Sequence, residues 1–338
     1  MNKPIAVLIS DVHYSVHTLK LADAAMRQAI TKANDLDVPL IVAGDLHDTK
    51  ANLRGECVNA MIDTFKRIKG QSFLLIGNHD KINEKSEEHS LNFLQPYTMI
   101  VNRPFSTFQG GRMLEFIPYA HDTAELKAHL KKCDKREILI MHQGLNGSNM
   151  GDYIKDDTAL NKEDVAGRRI ISGHYHCRQT IELSDGGKWD FIGNPYSLTY
   201  GEANDPPKGY QILYQDGSLE FVPTNLRKHV VLELNVLDDT LLNLIAPVDD
   251  VAPNDLVWVK VHASKEILQK ATKVRVARHL GLLDSFKLEL ICTEEVQTGK
   301  TDLSLKSDKL LDSIIDSLSD VSDDRKNTLK STWRQLCD

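Results

Sequence analysis

The sequence predicts an α/β protein: a largely parallel central sheet, a second sheet beside it, a small α/β unit and a helical end. Three observations predict this. Five short runs rich in Ile, Leu and Val each stop abruptly at His, Asp or Asn residues. Segments of helical character separate the first of these runs. Between residues 178 and 222 the texture changes to short alternating runs divided by turn signals.

The five runs are "IAVLIS" before "DVH", "VPLIVA" before "GDLHD", "SFLLI" before "GNHD", "EILIM" before "HQG", and "RIIS" before "GHYH". Apolar runs of this length between turn signals are consistent with strands buried on both faces. Helices are expected over 17–35 and 53–69, and strand alternating with helix implies crossover units and parallel pairing. In such layouts ligands collect at the carboxyl ends of strands, where all five polar clusters would lie. The stretches "RQTIEL", "KWDFIG", "YQILY" and "LEFVP" then read as antiparallel strands that complete the second sheet.

A larger α/β unit over 1–224 is followed by a strand, strand, helix, strand order over 225–293, read as a small α/β domain. Residues 294–306 read as a polar linker. In 307–338, Leu310, Leu311, Ile314, Ile315 and Leu318 recur at helical spacing, and Leu329, Trp333 and Leu336 mark a second helix. These two helices suit either the protein's own core or a partner's groove.

The 338 residues carry a net charge of −7. Non-specific DNA affinity comes mainly from Lys and Arg, so this balance excludes grip on nucleic acid by bulk charge. A polyanionic substrate would need metal ions, local basic patches or a partner. The basic stretches "KAHLKKCDKRE" and "KVRVARH" read as solvated helix faces. The five cysteines form no C-x-x-C pair and read as free thiols. No run reaches the ~18 apolar residues of a membrane span, and the start lacks the features of a signal peptide, so a cytoplasmic protein with no membrane association is expected.

Taken singly, each polar cluster is a turn or a surface loop in about nine cases of ten. Five in series, each after an apolar run, point instead to a site. Asp11 and His13 are two residues apart at a strand end and so share one side of it, as do His174 and His176. With Asp45, Asn78 and His142 they make seven nitrogen or oxygen ligands without a cysteine. Imidazole mixed with carboxylate suits manganese, iron or zinc. Seven ligands exceed what one ion takes while leaving room for water and substrate; two metals sharing a carboxylate fit better, with Asp45, after the turn at Gly44, as the bridge. Paired metals ~4 Å apart are a device for phosphoester displacement. His17, His47, His89, His121 and His229 fall outside the pattern and read as surface or structural. Cys177 is set aside because it would face away on a strand.

In order, "DVH", "GDLHD", "GNHD", "HQG" and "GHYH" match the signature of the calcineurin-like metallophosphoesterases over residues 11–176. The resemblance implies that family's two-sheet sandwich flanked by helices. It puts Asp11, His13, Asp45 and His176 on one metal and Asp45, Asn78, His142 and His174 on the other. It makes His79 the catalytic imidazole, Asp48 the carboxylate that orients it, and Asn78 a ligand that also meets the substrate phosphate. Within the superfamily, "DFIGNPYSLTYGEANDPPKGY", the added domain and the helical tail resemble the compact bacterial or phage version of the SbcD-type nucleases of double-strand-break repair and recombination. One departure stands out: some archaeal and eukaryotic relatives carry a histidine where this chain has Asp48.

The resemblance therefore implies a two-metal, manganese-dependent DNA nuclease, acting 3′ to 5′ on double-stranded ends and endonucleolytically on single strands. It implies an SbcC-like coiled-coil ATPase as partner and a homodimer as an oligomeric option. The rival readings are a small-molecule phosphodiesterase or protein phosphatase on the same metal core, and a DNA-end tethering module without catalysis.

Overall fold

The computed structural model describes residues 2–83, 85–149, 156, 158–236, 251–280, 286–293 and 326. The chain opens with β1 (Pro4–Ile9), α1 (Leu19–Leu36), β2 (Leu40–Val42), α2 (Gly55–Phe65), β3 (Ser72–Leu75) and β4 (Met99–Val101). The four strands pair in parallel in chain order. In α1, Ala22, Ala25, Met26, Ala29, Ile30 and Ala33 recur at three- and four-residue steps and are buried. One helix face thus meets the sheet, and its alanines permit close approach. The helix stops at Asp37, whose left-handed φ of 53° lets its N–H return to the carbonyls of Ala33 and Asn34.

A second six-stranded sheet follows, built from β5 (Phe105–Gln109), β6 (Arg112–Ile117), β7 (Ile138–His142), β8 (Arg169–Gly173), β9 (Gln179–Glu182) and β10 (Lys188–Phe191) in the order β5-β6-β7-β8-β10-β9. α3 (Thr123–Leu130) lies between β6 and β7 and starts at Asp122, whose carboxylate accepts from the N–H groups of Ala124 and Glu125. The β5–β6 hairpin turns at Gly110 and Gly111, with φ of 54° and 87°. Two successive positive φ angles are what a two-residue hairpin loop demands, and glycine meets that demand without strain. Sequence reading passed over this Gly-Gly signal.

The alternating runs of 178–222 are all expected in the second sheet, but only two of the four join it. β9 and β10 do so, and β10 joins it by pairing in parallel with β8. The next two strands, β11 (Gly209–Tyr214) and β12 (Leu219–Pro223), return to the first sheet, antiparallel, with β11 beside β1. Alternation reports that a strand has two unlike faces; it does not say which sheet edge is free to receive it.

Period-two alternation builds the interior. Leu8, Ile41, Phe73 and Leu75 of the first sheet meet Leu114, Phe116, Ile138, Ile140 and Ile171 of the second in the layer between sheets. Their neighbours Val7, Ile9, Leu40, Val42 and Leu74 face α1 and α2. Leu139, Met141 and Ile170 face the α3 side with Trp189. Burial on both faces explains why these strands read as continuous apolar runs.

A third sheet is separate and wholly parallel: β13 (His229–Asn235), β14 (Leu256–Ala263) and β15 (Phe286–Cys292). The single helix expected between the last two is divided into α4 (Lys265–Lys270) and α5 (Lys273–Leu280). Ala271 leaves the helical region, and the Thr272 hydroxyl accepts from the Arg275 N–H to restart it. The two helices read in 307–338 lie outside the described residues, Lys326 aside, as does the linker 294–306. Among the described residues no helix is long and apolar enough to cross a membrane.

Phe116 is fully buried and stacks on Phe73 across the two sheets, with ring centroids 4.9 Å apart. Phe116→Ala should therefore cost ~3–5 kcal/mol of stability, as truncation of a buried aromatic does. A denaturant titration giving a loss below ~1 kcal/mol would show that this layer is not the shared core of the two sheets.

Candidate metal centre

Every cluster singled out in the sequence lies at the carboxyl end of its strand, and the two sheets bring these ends together. Asp11 and His13 follow β1, Asp45 follows β2, Asn78 and His79 follow β3, His142 ends β7, and His174 and His176 follow β8. Ligand atoms of Asp11, His13 and His176 lie within 4.8 Å of one another, as do those of Asp45, His142 and His174, and those of His13, Asp48 and His79. Asp45 Oδ2 lies 3.2 Å from His142 Nε2 and 4.0 Å from His13 Nε2, between the first two groups. Asn78 Oδ1 is 3.1 Å from His142 Nε2 and 3.0 Å from His174 Nδ1.

Strand alternation is not what aims these side chains. β1 ends at Ile9 and β8 at Gly173, so neither Asp11 and His13 nor His174 and His176 stand on strand. Asp11, His13, Asp45 and His174 instead have positive φ, at 52°, 49°, 51° and 85°. Left-handed backbone at four non-glycine residues costs energy at each and persists where the surroundings enforce it. Cys177 also lies off any strand, with its thiol 3.8 Å from the Asn149 amide.

Glycines leave room for the ligands. A Cβ at Gly77 would stand 2.1 Å from Asp45 Oδ1, and one at Gly173 would stand 2.8 Å from His142 Nδ1 and 1.9 Å from Ser10 Oγ. The G of "GNHD" and the G of "GHYH" are therefore space for the ligands opposite as much as turns.

Outer hydrogen bonds fix three histidine tautomers. His142 Nδ1 is 2.7 Å from the Ala43 carbonyl, His174 Nε2 is 3.1 Å from Asp156 Oδ2, and His176 Nδ1 is 3.0 Å from Glu202 Oε1. A carbonyl or an ionised carboxylate only accepts, so each of these nitrogens donates, and the other nitrogen turns its lone pair inward. Those lone pairs point at Asp45 Oδ2, at Asn78 Oδ1 and at His13 Nε2, the last 3.1 Å from His176 Nε2. Acceptors facing acceptors repel unless a cation or a proton lies between them. His142 illustrates this: burial, its largest influence, lowers its pKa, but Asp45 and Asp11 outweigh burial and lift it to about 9. Burial also pushes Asp45 up, yet His142, His13 and His79 together hold its carboxyl well below the usual range. The donor set of imidazoles, carboxylates and one amide, without a thiolate, fits divalent cations of the manganese, iron and zinc kind.

His79 stands at the rim. Its N–H donates to Asp45 Oδ1 at 2.8 Å, and its Nδ1 lies 2.5 Å from the Asp48 carbonyl. The Asp48 carboxylate, expected to orient His79, faces His13 Nδ1 instead, at 3.4 Å.

Three residues beyond the predicted set complete the centre. Asp80 is fully buried and accepts from the backbone N–H groups of Asp45, His47 and Gly77. Glu202 holds His176 and also accepts from Asn194 and the Leu198 N–H; burial pushes it up, but His176 and Lys208 outweigh this and hold it at about 2. Asp156 holds His174 and accepts from the Tyr175 hydroxyl. A signal existed for two of them: Asp80 closes "GNHD", and Glu202 lies in "YGE" of the stretch already noted. Nothing in the sequence around Asp156 marks it.

The calcineurin-like phosphoesterase family matches residues 6–178. Exonuclease subunit 1 of Enterobacteria phage T4 is 25% identical over 162 residues, covering 46% of this chain and 46% of that protein. The match thus spans less than half the length of that curated relative. Among solved structures, similarity extends to a dimetal phosphatase from Danio rerio (13% identity, TM-score 0.43, 63% of this chain and 93% of that one). It extends also to an archaeal phosphodiesterase (15% identity, TM-score 0.36, 66% of this chain and 99% of that one).

Glu202→Gln removes the charge that fixes the His176 tautomer, and loss of such an outer partner commonly weakens metal binding ~10- to 100-fold. Competition with a metal-sensitive dye should show this loss at one of two sites. Unchanged affinity at both would separate Glu202 from the centre. Chelation of bound metal should lower the melting temperature, since a site filled at 100 times its Kd contributes ~2.7 kcal/mol.

Proposed function

The chain belongs to the calcineurin-like phosphoesterase family, whose members work through a dimetal centre, and on that basis we propose that it is a manganese-dependent DNA nuclease. It is a metal-dependent phosphoester hydrolase. The observation that carries the reaction class is the convergence of histidine lone pairs and the Asp11 and Asp45 carboxylates on one mouth, with His79 beside it. DNA as substrate is supported by the similarity to a phage exonuclease subunit. The proposal includes exonuclease action 3′ to 5′ on duplex ends and endonuclease action on single strands. It also includes an SbcC-like ATPase as partner, 225–293 as a capping domain and 307–338 as the partner-binding tail.

When bound, two metals supply water activation near neutral pH and charge neutralisation at the phosphoryl oxygens. One would be held by Asp11, His13 and His176, the other by Asn78, His142 and His174, with Asp45 shared. The residues do the rest. The outer acceptors Ala43, Asp156 and Glu202 orient three imidazoles with one ring nitrogen of each turned inward, so the donors are aimed without rearrangement. Asn78 turns its amide oxygen inward, which leaves its NH2 group to donate to a phosphoryl oxygen. His79 donates through Nδ1 to the Asp48 carbonyl, so Nε2 is the free nitrogen. In the protonated ring Nε2–H gives its proton to the leaving oxygen as the P–O bond breaks.

End-labelled duplex and circular single-stranded DNA with manganese, compared with a chromogenic phosphodiester, test the substrate. Cleavage of the chromogenic diester with no action on either DNA would favour a small-molecule phosphodiesterase. His79→Gln should keep both metals and slow single-turnover DNA cleavage ~10²- to 10⁴-fold. Loss of a metal, or an unchanged rate, would remove His79 from the proton-donor role. Asp48→Asn keeps the carbonyl that holds His79, so its defect should appear instead as weaker metal binding through His13.

A further inference from the structure

A cavity of about 760 Å³ opens beside the metal centre, lined by Lys81, Arg103, Pro118, Tyr119, His121 and His129 among others. Its size is that of ordinary ligand clefts, ~300–1,000 Å³. Tyr119 is the wall it shares with the centre: the ring centroid is 5.7 Å from that of His174 and 6.5 Å from that of His142. The Tyr119 N–H donates to the Ile76 carbonyl at 2.9 Å, which fixes this wall to the strand end that carries "GNHD".

Lys81 follows Asp80 on that same loop. Its ammonium lies 5.3 Å from the Tyr119 ring centroid, and the side chain is half-buried. No carboxylate of the described residues pairs with it; Glu87 is the one whose charge reaches it, and Glu87 is engaged with Arg103 at 3.0 Å. His121 Nδ1, on the same cavity, is buried without a hydrogen-bond partner. Three acidic groups also line the cavity: Glu87 is held by Arg103, Asp122 caps α3, and Glu125 stands in the first turn of that helix. A half-buried ammonium that has an aromatic face but no carboxylate partner among the described residues, on one cavity with an unsatisfied imidazole nitrogen, suits an anion.

We propose that this cavity is a subsite for the nucleotide adjoining the scissile phosphate, in which Lys81 takes the neighbouring backbone phosphate and Tyr119 contacts its sugar or base. The inference rests on the nuclease reading above. A strand crossing the metal centre carries a second phosphate one nucleotide away, and among the described residues Lys81 is the cation that stands against Tyr119, the wall shared with the centre, without an ion-pair partner. The role is binding and register; Lys81 does not touch the reacting phosphorus.

The test uses the full chain with manganese and short single-stranded oligonucleotides. Some carry one neutral methylphosphonate at the linkage on either side of the scissile one. The chromogenic bis(4-nitrophenyl) phosphate, which has no second phosphate, is the control. In the unmodified protein the methylphosphonate on one side should lower kcat/KM ~10- to 100-fold, the effect of losing a charge-assisted contact. In Lys81→Gln the same replacement should cost less than ~2-fold, because the partner is already gone. Lys81→Gln should also lower the ratio of oligonucleotide to chromogenic kcat/KM ~10-fold or more, and Lys81→Arg, which keeps the charge, should restore the methylphosphonate penalty. If the penalty persists in Lys81→Gln, or both substrates suffer equally, the subsite is overturned while the nuclease reading stands. If the unmodified protein cleaves the chromogenic diester and no oligonucleotide, the nuclease reading falls and takes the subsite with it.

Discussion

The centre depends on one buried carboxylate. Asp80 lies with no exposed surface and receives three backbone N–H groups, from Asp45, His47 and Gly77. Those bonds join the loop after β2 to the loop after β3, and so place Asp45 against Asn78. Burial, followed by the charge of Asp45, pushes Asp80 up to about 7, against the pull of its N–H donors. A carboxylate is held in so costly a place because nothing else so small accepts from both loops at once. It also permits the positive φ at Asp45, since the Asp45 N–H is satisfied there and not in a strand ladder.

That these polar residues gather in one place was legible in the sequence, because such residues stopping apolar runs are a strong departure from background. The means of aiming them was not. Reading Asp11 with His13, and His174 with His176, as alternate residues on strands reached the right neighbourhood through the wrong backbone, since left-handed φ leaves no mark on Asp or His. The glycines of "GNHD" and "GHYH" read as turn residues, and their second task, leaving space for Asp45 and His142, depends on what stands opposite in three dimensions. Asp48 shows a related limit: the family resemblance put its carboxylate on His79, whereas the main-chain carbonyl makes that hydrogen bond. Outer carboxylates such as Asp156 lie on loops whose approach to the histidines is set by tertiary packing alone.

The layers were legible in the same uneven way. Continuous apolar runs revealed strands covered on both faces, and the helical periodicity of α1 revealed what covers one of them. The destination of β11 and β12 was hidden, because pairing partners are chosen by free edges and not by local pattern. The return of β11 to lie beside β1 closes the first sheet's edge with a strand from far along the chain.

The candidate ligands come from both sheets, Asp11, His13, Asp45 and Asn78 from loops of the first and His142, His174 and His176 from the second, and His13 and His176, in van der Waals reach of each other, are 163 residues apart in sequence. Neither cluster exists in any short piece of the polypeptide. Bringing such distant segments together carries the loop-closure cost before any ligand geometry rewards it. A local metal knuckle can gather its ion early and direct the collapse around it. Here the two groups that draw on both sheets cannot assemble until β8, the strand that precedes His174, is in place and the two sheets have packed.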